Sequence, residues 1–321
     1  MRLINTQTLE LEEYFGDQIP LYAILSHTWG EDEASFQGWQ SPDRPSSKAG
    51  YKKVLDACKQ ARSDTVEYMW CDTVCIDKSS SAELSEAINS MFSWYNASAG
   101  CYVYLTDVSA SENLESSFRN SRWFTRGWTL QELLAPEIIV FYDREWTEIG
   151  SRNDLETIIS EITKIPKRMM GPRYMRSASI ARKMSWVATR TTTRVEDMAY
   201  CMLGIFDLNM PLLYGEGIKA FIRLQEELIK VSNDQSIFCW TWIDDLNIVP
   251  SDWISILAPS PKVFADSGHL QPGNFKSRVN RVYGDISNRT YSMTNAGLSI
   301  RLRTVHASRS CFAVLQLSSH R

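Results

Sequence analysis

The chain has 321 residues, of which 44% are hydrophobic and 11 are tryptophans, a composition typical of a globular protein with a substantial core. Its 34 Lys and Arg against 38 Asp and Glu give a net charge of -4, so no basic field is available to bind nucleic acid or an acidic membrane surface. We find neither a secretory signal nor the roughly 18 to 20 apolar residues of a membrane span, and we therefore expect a cytoplasmic protein.

The seven cysteines are spaced irregularly and lie mostly within apolar runs, which is typical of reduced core thiols rather than of a disulfide framework. Cys71 and Cys75 form the only close pair. A zinc site would need further soft ligands, yet His27 is the only histidine in the first 260 residues. We therefore predict no metal site.

Apolar runs alternate with amphipathic stretches through the first half of the chain. A strand is predicted at 21–26, and the polar stretch 31–47, with Pro42 and Pro45, is interpreted as a surface insertion. The following elements are predicted in order: a helix at 48–63, a strand at 67–72, a helix near 82–97, a strand at 101–108, a broken helix at 117–134 and a strand at 137–143. Because parallel strands need crossover connections, this alternation predicts an α/β fold with a parallel sheet flanked by helices.

The second half is predicted to be helical and then β-rich. Helices are predicted near 152–163, 177–188, 194–205 and 216–232, and short antiparallel strands from 236 onward, including 298–304 and 311–318. We expect three regions: an α/β domain over 1–150, a helical extension packed on it over 151–235, and a small β-rich C-terminal region over 236–321. The last region stops abruptly at Arg321, which leaves open whether the chain is a fragment of a longer protein.

Polar residues follow the predicted strands, where ligands of open α/β sheets bind. The candidates are Ser26, His27, Thr28 and Trp29 after the first strand, Asp72 and Asp77 after the second, Thr106 and Asp107 after the third, and Arg126, Trp128 and Glu132 on the broken helix. Trp128 and Glu132 are four residues apart and so face the same way. Together these residues offer carboxylates, aromatic faces, hydroxyl groups and a cation, which suits a nucleotide.

Each candidate also has an ordinary structural explanation. Ser26 and Asp72 could cap helices, Trp29 could fill the core as Trp128 could, and Glu132 could be a solvated helix residue. His27 suits a hydrogen-bonding anchor as well as a site residue. Phosphate loops, dinucleotide fingerprints, nucleophile elbows and zinc-protease motifs do not occur in the sequence, which removes the commonest competing interpretations.

A second charged group lies at 190–197 and contains Arg190, Arg194, Glu196 and Asp197. It either contributes to the site or forms an ion-pair network that holds helices together, and we favour the network.

Three segments in this order, LYAILSHTWG at 21–30, WCDTVCID at 70–77 and RGWTLQELLAP at 126–136, resemble the signature of the heterokaryon-incompatibility (HET) domain. RTTTRVEDMAYCMLGIFDLNMPLLYGEG at 190–217 resembles the segment that commonly follows this domain in fungal proteins. HET domains are remote relatives of TIR domains, so the resemblance implies a TIR-like, flavodoxin-like sheet.

The resemblance also implies a site. WTLQEL at 128–133 resembles the TIR segment W-x-x-x-E-L, which places Glu132 on the catalytic glutamate of NAD-cleaving TIR enzymes. The substrate-binding candidates that accompany it, chosen by their positions after the predicted strands and on the broken helix, are Ser26, His27, Trp29, Asp72, Asp77, Arg126 and Trp128. NAD+ would then be the substrate, and neither a cofactor nor a metal is expected.

The family implies regulated cell death after non-self recognition, with self-association on activation and control by an NLR-type regulatory protein or domain. Two other classes of function remain open. One is a non-enzymatic module that assembles through 77–95 and triggers death by recruiting partners. The other is a binding module that senses a nucleotide without turning it over.

Overall fold

The computed structural model describes residues 1–41, 48–111, 113–243, 253–272, 290–307, 310–315 and 317–319 of the chain. These residues fall into two compact units, Met1–Arg176 and Ser177–Arg321. The region boundaries predicted at 150 and 235 stay predictions. Pro42 and Pro45 of the predicted insertion, and Gln316 of the last predicted strand, lie outside the described residues.

One sheet organises the first unit. Its strands are β1 (Arg2–Asn5), β2 (Leu11–Glu13), β3 (Tyr22–His27), β4 (Tyr68–Trp70), β5 (Gly100–Tyr104), β6 (Ile139–Tyr142) and β7 (Glu148–Ser151). They are ordered β2-β1-β4-β3-β5-β6-β7 across the sheet. The inner strands β4, β3, β5 and β6 are parallel, while β1, β2 and β7 run antiparallel to their neighbours. This flavodoxin-like order of the parallel strands confirms the predicted α/β fold class.

The helices of this unit lie between its strands or, for the last two, after β7. They are α1 (Phe36–Gln40), α2 (Ala49–Ser63), α3 (Asp72–Cys75), α4 (Ser81–Ala97), α5 (Leu114–Arg119), α6 (Thr129–Leu134), α7 (Glu156–Thr163) and α8 (Pro172–Met175). Helix α2 buries Tyr51, Val54 and Cys58, as its apolar stripe predicts. Ser80 is the N-cap of α4, and its hydroxyl accepts a hydrogen bond from the Glu83 amide.

The predicted surface insertion contains a helix that the sequence reasoning missed. Helix α1 begins after Ser35, whose hydroxyl accepts a hydrogen bond from the Gly38 amide. Trp39 of this helix is fully buried, and its indole donates to the carbonyl oxygen of Leu9 at 3.0 Å. A single large aromatic side chain therefore holds a polar segment on the unit, although most of its residues read as loop.

The second unit begins with helices and continues into short strands. Its helices are α9 (Ile180–Val187), α10 (Asp197–Tyr200), α11 (Leu203–Phe206) and α12 (Lys219–Val231). Its strands are β8 (Leu270–Pro272), β9 (Tyr291–Thr294), β10 (Gly297–Ile300), β11 (Arg303–Ala307), β12 (Ser310–Val314) and β13 (Leu317–Ser319). The strands form antiparallel pairs, as predicted.

Two predictions for this unit were wrong. The helix predicted at 194–205 is interrupted between α10 and α11. The region of short strands predicted from 236 onward begins instead with a 3-10 helix, Gln235–Phe238, because the Asp234 side chain caps it by accepting from the Ser236 amide at 2.9 Å. Among the described residues, no helix combines the length and the apolar composition needed to cross a bilayer.

The side chain of Glu196, in the charged group at 190–197, forms hydrogen bonds with the backbone of a later loop. Its carboxylate accepts hydrogen bonds from the amides of Gly215 and Gly217 at 2.8 and 3.0 Å. Both glycines have positive φ angles, 102° and 60°, which a residue with a side chain adopts with difficulty. Arg194 lies over the ring of Tyr214 at 4.4 Å. In these contacts, Glu196 and Arg194 shape the loop that precedes α12.

Candidate functional site

A buried carboxylate lies against the carboxyl end of the central strand. Ser26, in β3, is fully buried, and its hydroxyl donates a hydrogen bond to Oε2 of Glu132. The Ser26 hydroxyl oxygen in turn accepts a hydrogen bond from the indole Nε1 of Trp123 at 2.8 Å. Glu132, in the first turn of α6, is only 7% exposed, so the explanation that it is a solvated helix residue is wrong. Because carboxylates are seldom buried without a specific contact, this cluster is the strongest candidate centre in the first unit.

Local capping interactions hold Trp123 and α6 in place. Asp107, after β5, accepts hydrogen bonds from the Ser121 hydroxyl at 2.8 Å and the Arg122 amide at 2.7 Å. These contacts anchor the 3-10 helix Arg122–Thr125, which carries Trp123. The Thr129 hydroxyl then donates to the Trp123 carbonyl oxygen at 2.5 Å, tying the start of α6 to that helix. Asp107 therefore positions Trp123 and α6 indirectly, through the 3-10 helix Arg122–Thr125.

A second group forms around Asp72, at the start of α3. The indole Nε1 of Trp29 donates to Asp72 Oδ2 at 3.1 Å, and Lys78 Nζ lies 3.3 Å from the same oxygen. Lys78 Nζ also lies 3.6 Å above the centre of the Trp29 ring, within the range of a cation–π contact. Trp29 is 52% exposed and so does not fill the core. Its indole face is a surface on which a planar ligand could stack.

His27 lies beside this group in an unusual state of hydrogen bonding. Its side chain is 1% exposed, and Nε2 is 3.6 Å from Glu33 Oε2 and 3.9 Å from Asp72 Oδ1. Both distances exceed that of a hydrogen bond, and neither ring nitrogen has a hydrogen-bond partner among the residues described. Burial lowers the pKa of His27 and the charge of Lys53 lowers it further, against the opposing carboxylates. Burial therefore favours the neutral form of the imidazole, against the pull of the two carboxylates.

The two carboxylates beside His27 remain ionised. Burial acts to raise the pKa of Asp72, but Lys78 and His27 outweigh burial and hold that pKa below its ordinary value. Burial also acts to raise the pKa of Glu33, whereas His27 and Lys53 lower it to about 2. Lys53 Nζ lies 2.6 and 2.9 Å from the two oxygens of Glu33. The pocket thus holds fixed negative charges that one buried ammonium group partly balances.

The predicted site residues divide between two faces of the sheet. Ser26 and His27 are successive residues of β3, so their side chains project to opposite faces. The buried Tyr95 relates the two groups, since burial raises its pKa and the charges of Glu132 and Asp72 raise it further. Both carboxylates therefore act electrostatically on the same phenol, although they belong to different clusters.

The other predicted residues lie on loops around these clusters. Asp77 is half-buried and accepts hydrogen bonds from the Ser79 hydroxyl at 2.6 Å and from Gln37 Nε2 at 2.8 Å, which stabilises the loop after α3. Arg126 and Trp128 are half-buried on the segment that leads into α6. The Arg126 carbonyl oxygen accepts from the Thr129 hydroxyl at 2.9 Å.

Sequence reasoning missed several residues of both clusters, namely Trp123, Glu33, Lys53 and Lys78. Lys53, on α2, is 5% exposed and contacts Glu33. Its position next to Val54 in the apolar stripe was the only available signal. No sequence pattern distinguished Trp123 from the other tryptophans.

A separate groove of about 440 Å³ opens at the opposite, amino-terminal edge of the parallel strands. It is lined by Asn5, Thr6, Gln7, Thr8, Arg62, Thr65, Val66 and Glu67. None of the predicted site residues lines this groove, so it does not bear on the chemistry of the two clusters.

Part of the first unit matches a known protein family. Residues 22–117 match the model of the heterokaryon incompatibility protein (HET) family, and the match includes Ser26, His27 and Asp72. The chain is a HET-domain protein. Vegetative incompatibility protein HET-E-1 of Podospora anserina is 49% identical over 222 residues, which are 66% of this chain and 16% of that protein. The chain thus spans about a sixth of the length of this relative.

No solved structure matches the chain. Glu132 lies beyond residue 117, the last residue matched by the HET family model. Its hydrogen bond to Ser26 nevertheless joins it to the HET domain.

Proposed function

We propose that this HET-domain protein is a cell-death effector of vegetative incompatibility and that it acts by hydrolysing NAD+ to nicotinamide and ADP-ribose. The relationship to a vegetative incompatibility protein supports the first part. The buried carboxylate of Glu132, bound to Ser26 at the carboxyl edge of the sheet, supports the second part.

The proposed reaction suits a site with one carboxylate. Water adds to the anomeric carbon of the ribose, the glycosidic electrons leave with nicotinamide, and one proton is released. Nicotinamide departs as a neutral molecule from a pyridinium and needs no strong general acid. Positive charge develops on the ribose, so a fixed carboxylate nearby stabilises the transition state, and more strongly where water is excluded.

Each residue then has a role that its contacts suggest. The Ser26 hydroxyl is already engaged by Glu132 and Trp123, so we assign it to holding the carboxylate in one orientation. Trp29, half-exposed and backed by Asp72 and Lys78, is assigned to stacking on a nucleotide ring.

The remaining predicted residues take outer roles in this proposal. Arg126 and Trp128 are assigned to the phosphates and the second aromatic wall. His27 and Asp77 support the loops around the pocket.

The test compares wild type with Glu132→Gln, using chromatography of the products formed from NAD+ over a range of protein concentrations. Glu137→Gln is the matched control, since Glu137 is exposed and lies just after α6. We expect wild type and Glu137→Gln to release nicotinamide and ADP-ribose, and Glu132→Gln to lose at least about 100-fold in rate. Equal turnover by Glu132→Gln and wild type would remove Glu132 from catalysis.

Expression in a fungal host separates the enzymatic mechanism from recruitment. If NAD+ cleavage causes death, Glu132→Gln abolishes killing while Glu86→Arg, on the exposed surface of α4, preserves it. The opposite pattern would favour a module that assembles through 77–95. Calorimetry measures the binding of NAD+ and ADP-ribose to Glu132→Gln. Binding in this assay, together with no turnover of NAD+ by wild type, would identify a nucleotide sensor.

A further inference from the structure

His27, Cys71 and Asp72 bring three different metal-binding atoms into one buried pocket. One imidazole nitrogen, one thiol sulfur and one carboxylate oxygen from these residues lie within 4.8 Å of one another. In a tetrahedral zinc site such atoms are roughly 3.3 to 3.8 Å apart, so closing on an ion requires movements of about 1 Å. Small rotations of the three side chains produce movements of this size.

The imidazole of His27 is the strongest sign that a ligand belongs in this pocket. Buried histidine nitrogens normally have hydrogen-bond partners, and leaving them unpaired costs free energy. Neither nitrogen of His27 has such a partner in the part of the chain that the structure describes, and the side chain is 1% exposed. Its Nε2 instead faces two carboxylates at 3.6 and 3.9 Å, and a metal ion between these groups would satisfy it.

The two oxygens of Asp72 are used differently. Oδ2 accepts from Trp29 Nε1 and lies near Lys78, whereas Oδ1 is the oxygen that faces His27. The carboxylate can therefore bind an ion through Oδ1 while Oδ2 keeps its existing contacts. Such outer contacts hold a ligand in its coordinating orientation.

Cys71 also has a supporting neighbour. Its sulfur lies 3.3 Å from the Thr73 hydroxyl, which can donate a hydrogen bond to a metal-bound thiolate. Metal binding displaces the thiol proton to solvent. Glu33 is less suited to bind the ion directly, because Lys53 and the Gly30 amide already occupy its oxygens.

We propose that His27, Cys71 and Asp72 form a binding site for a divalent transition metal of the zinc class. The thiolate and the carboxylate carry two negative charges, which balance the two positive charges of the ion, so the ion and its two anionic ligands are together neutral, which a buried site tolerates. The mixture of nitrogen, sulfur and oxygen ligands suits Zn²⁺ or Co²⁺ rather than Mg²⁺ or Ca²⁺. Three protein ligands leave the fourth position to water. This proposal does not depend on NAD+ cleavage.

The test is a titration of the full chain, first treated with a chelator, with Co²⁺ as a spectroscopic probe. We expect wild type to bind one equivalent and to develop a thiolate-to-cobalt charge-transfer band, which Zn²⁺ removes because it binds more tightly. Cys71→Ser should lose this band, and His27→Gln should weaken Co²⁺ binding by more than about 100-fold. Circular dichroism verifies that each variant is folded.

Two buried cysteines outside the cluster, Cys75 and Cys101, provide matched controls. Cys75→Ser and Cys101→Ser should retain the band, and either suffices if the other does not fold. Absence of the band in wild type, or its persistence in Cys71→Ser, would overturn the proposal. Because the readout is metal binding, the outcome is independent of whether Glu132 cleaves NAD+.

Discussion

Replacing Ser26 with alanine should lower the stability of the first unit more than the same substitution at an ordinary buried serine. The substitution removes a hydrogen bond to the Glu132 carboxylate, worth about 1.5 to 3 kcal/mol, and one from the Trp123 indole, worth about 1 kcal/mol. All three side chains are buried, so solvent cannot replace either contact. We expect the free energy of opening around β3 to fall by roughly 2.5 to 4 kcal/mol, or about 100- to 1000-fold in the opening equilibrium.

Native-state hydrogen exchange of the β3 amides measures this change without assuming that the whole chain unfolds in one step. Ser98→Ala is the matched control, because Ser98 is buried in the same unit and donates one hydrogen bond, to the Tyr95 carbonyl oxygen at 2.8 Å. It should cost about 1 kcal/mol. If the two variants lose protection equally, the Ser26 hydroxyl does not hold the Glu132 carboxylate as we have argued.

Three further predictions follow from buried charges and close contacts. In urea titrations, Lys53→Met should lower the free energy of unfolding by about 3 to 5 kcal/mol, because it leaves Glu33 without its buried partner. As a control, Lys52→Met, at an exposed lysine, should change the free energy of unfolding by less than about 0.5 kcal/mol. Gly50→Ala should cost about 1 to 3 kcal/mol, because its Cβ would lie 2.2 Å from a backbone oxygen, and an unchanged melting temperature would contradict this contact. The Glu196 carboxylate accepts hydrogen bonds from backbone amides, chiefly its own, and these hold its pKa below the ordinary 4.5. The stability that the ionised carboxylate contributes is therefore fully present above pH 4.5 and is lost as the pH falls through the pKa of the folded state. Melting temperatures below pH 4.5 should therefore fall less steeply for Glu196→Gln than for wild type.

The inner strands were predictable because their sequences are apolar on both faces. All six residues of β3 are buried, so the run LYAILS identifies the strand without any information on its neighbours. The outer strands β1, β2 and β7 were not predicted, because polar side chains interrupt them, whereas the equally short inner strands β4 and β6 are apolar or aromatic throughout. Only their pairing with the sheet makes them strands, and a single sequence does not report pairing.

The candidate site was predictable as a set of residues but not as an arrangement. The sequence placed Ser26 and His27 at the same edge of the sheet, yet the alternation of side chains along β3 directs them into different clusters. Lys53 was missed because the apolar stripe of a helix does not reveal that a carboxylate from another segment, Glu33, will pair with a lysine at the margin of that stripe. Such pairings depend on contacts between segments distant in sequence.

The antiparallel strands at the two sides of the sheet have a consequence for association between copies. The outermost strands, Leu11–Glu13 and Glu148–Ser151, are short, and each carries at least one carboxylate. A strand from another chain that docked there would find few free backbone groups and would meet negative charge, which is how natural sheets resist growth into fibres. Edge-to-edge pairing of the sheets of two copies is therefore disfavoured.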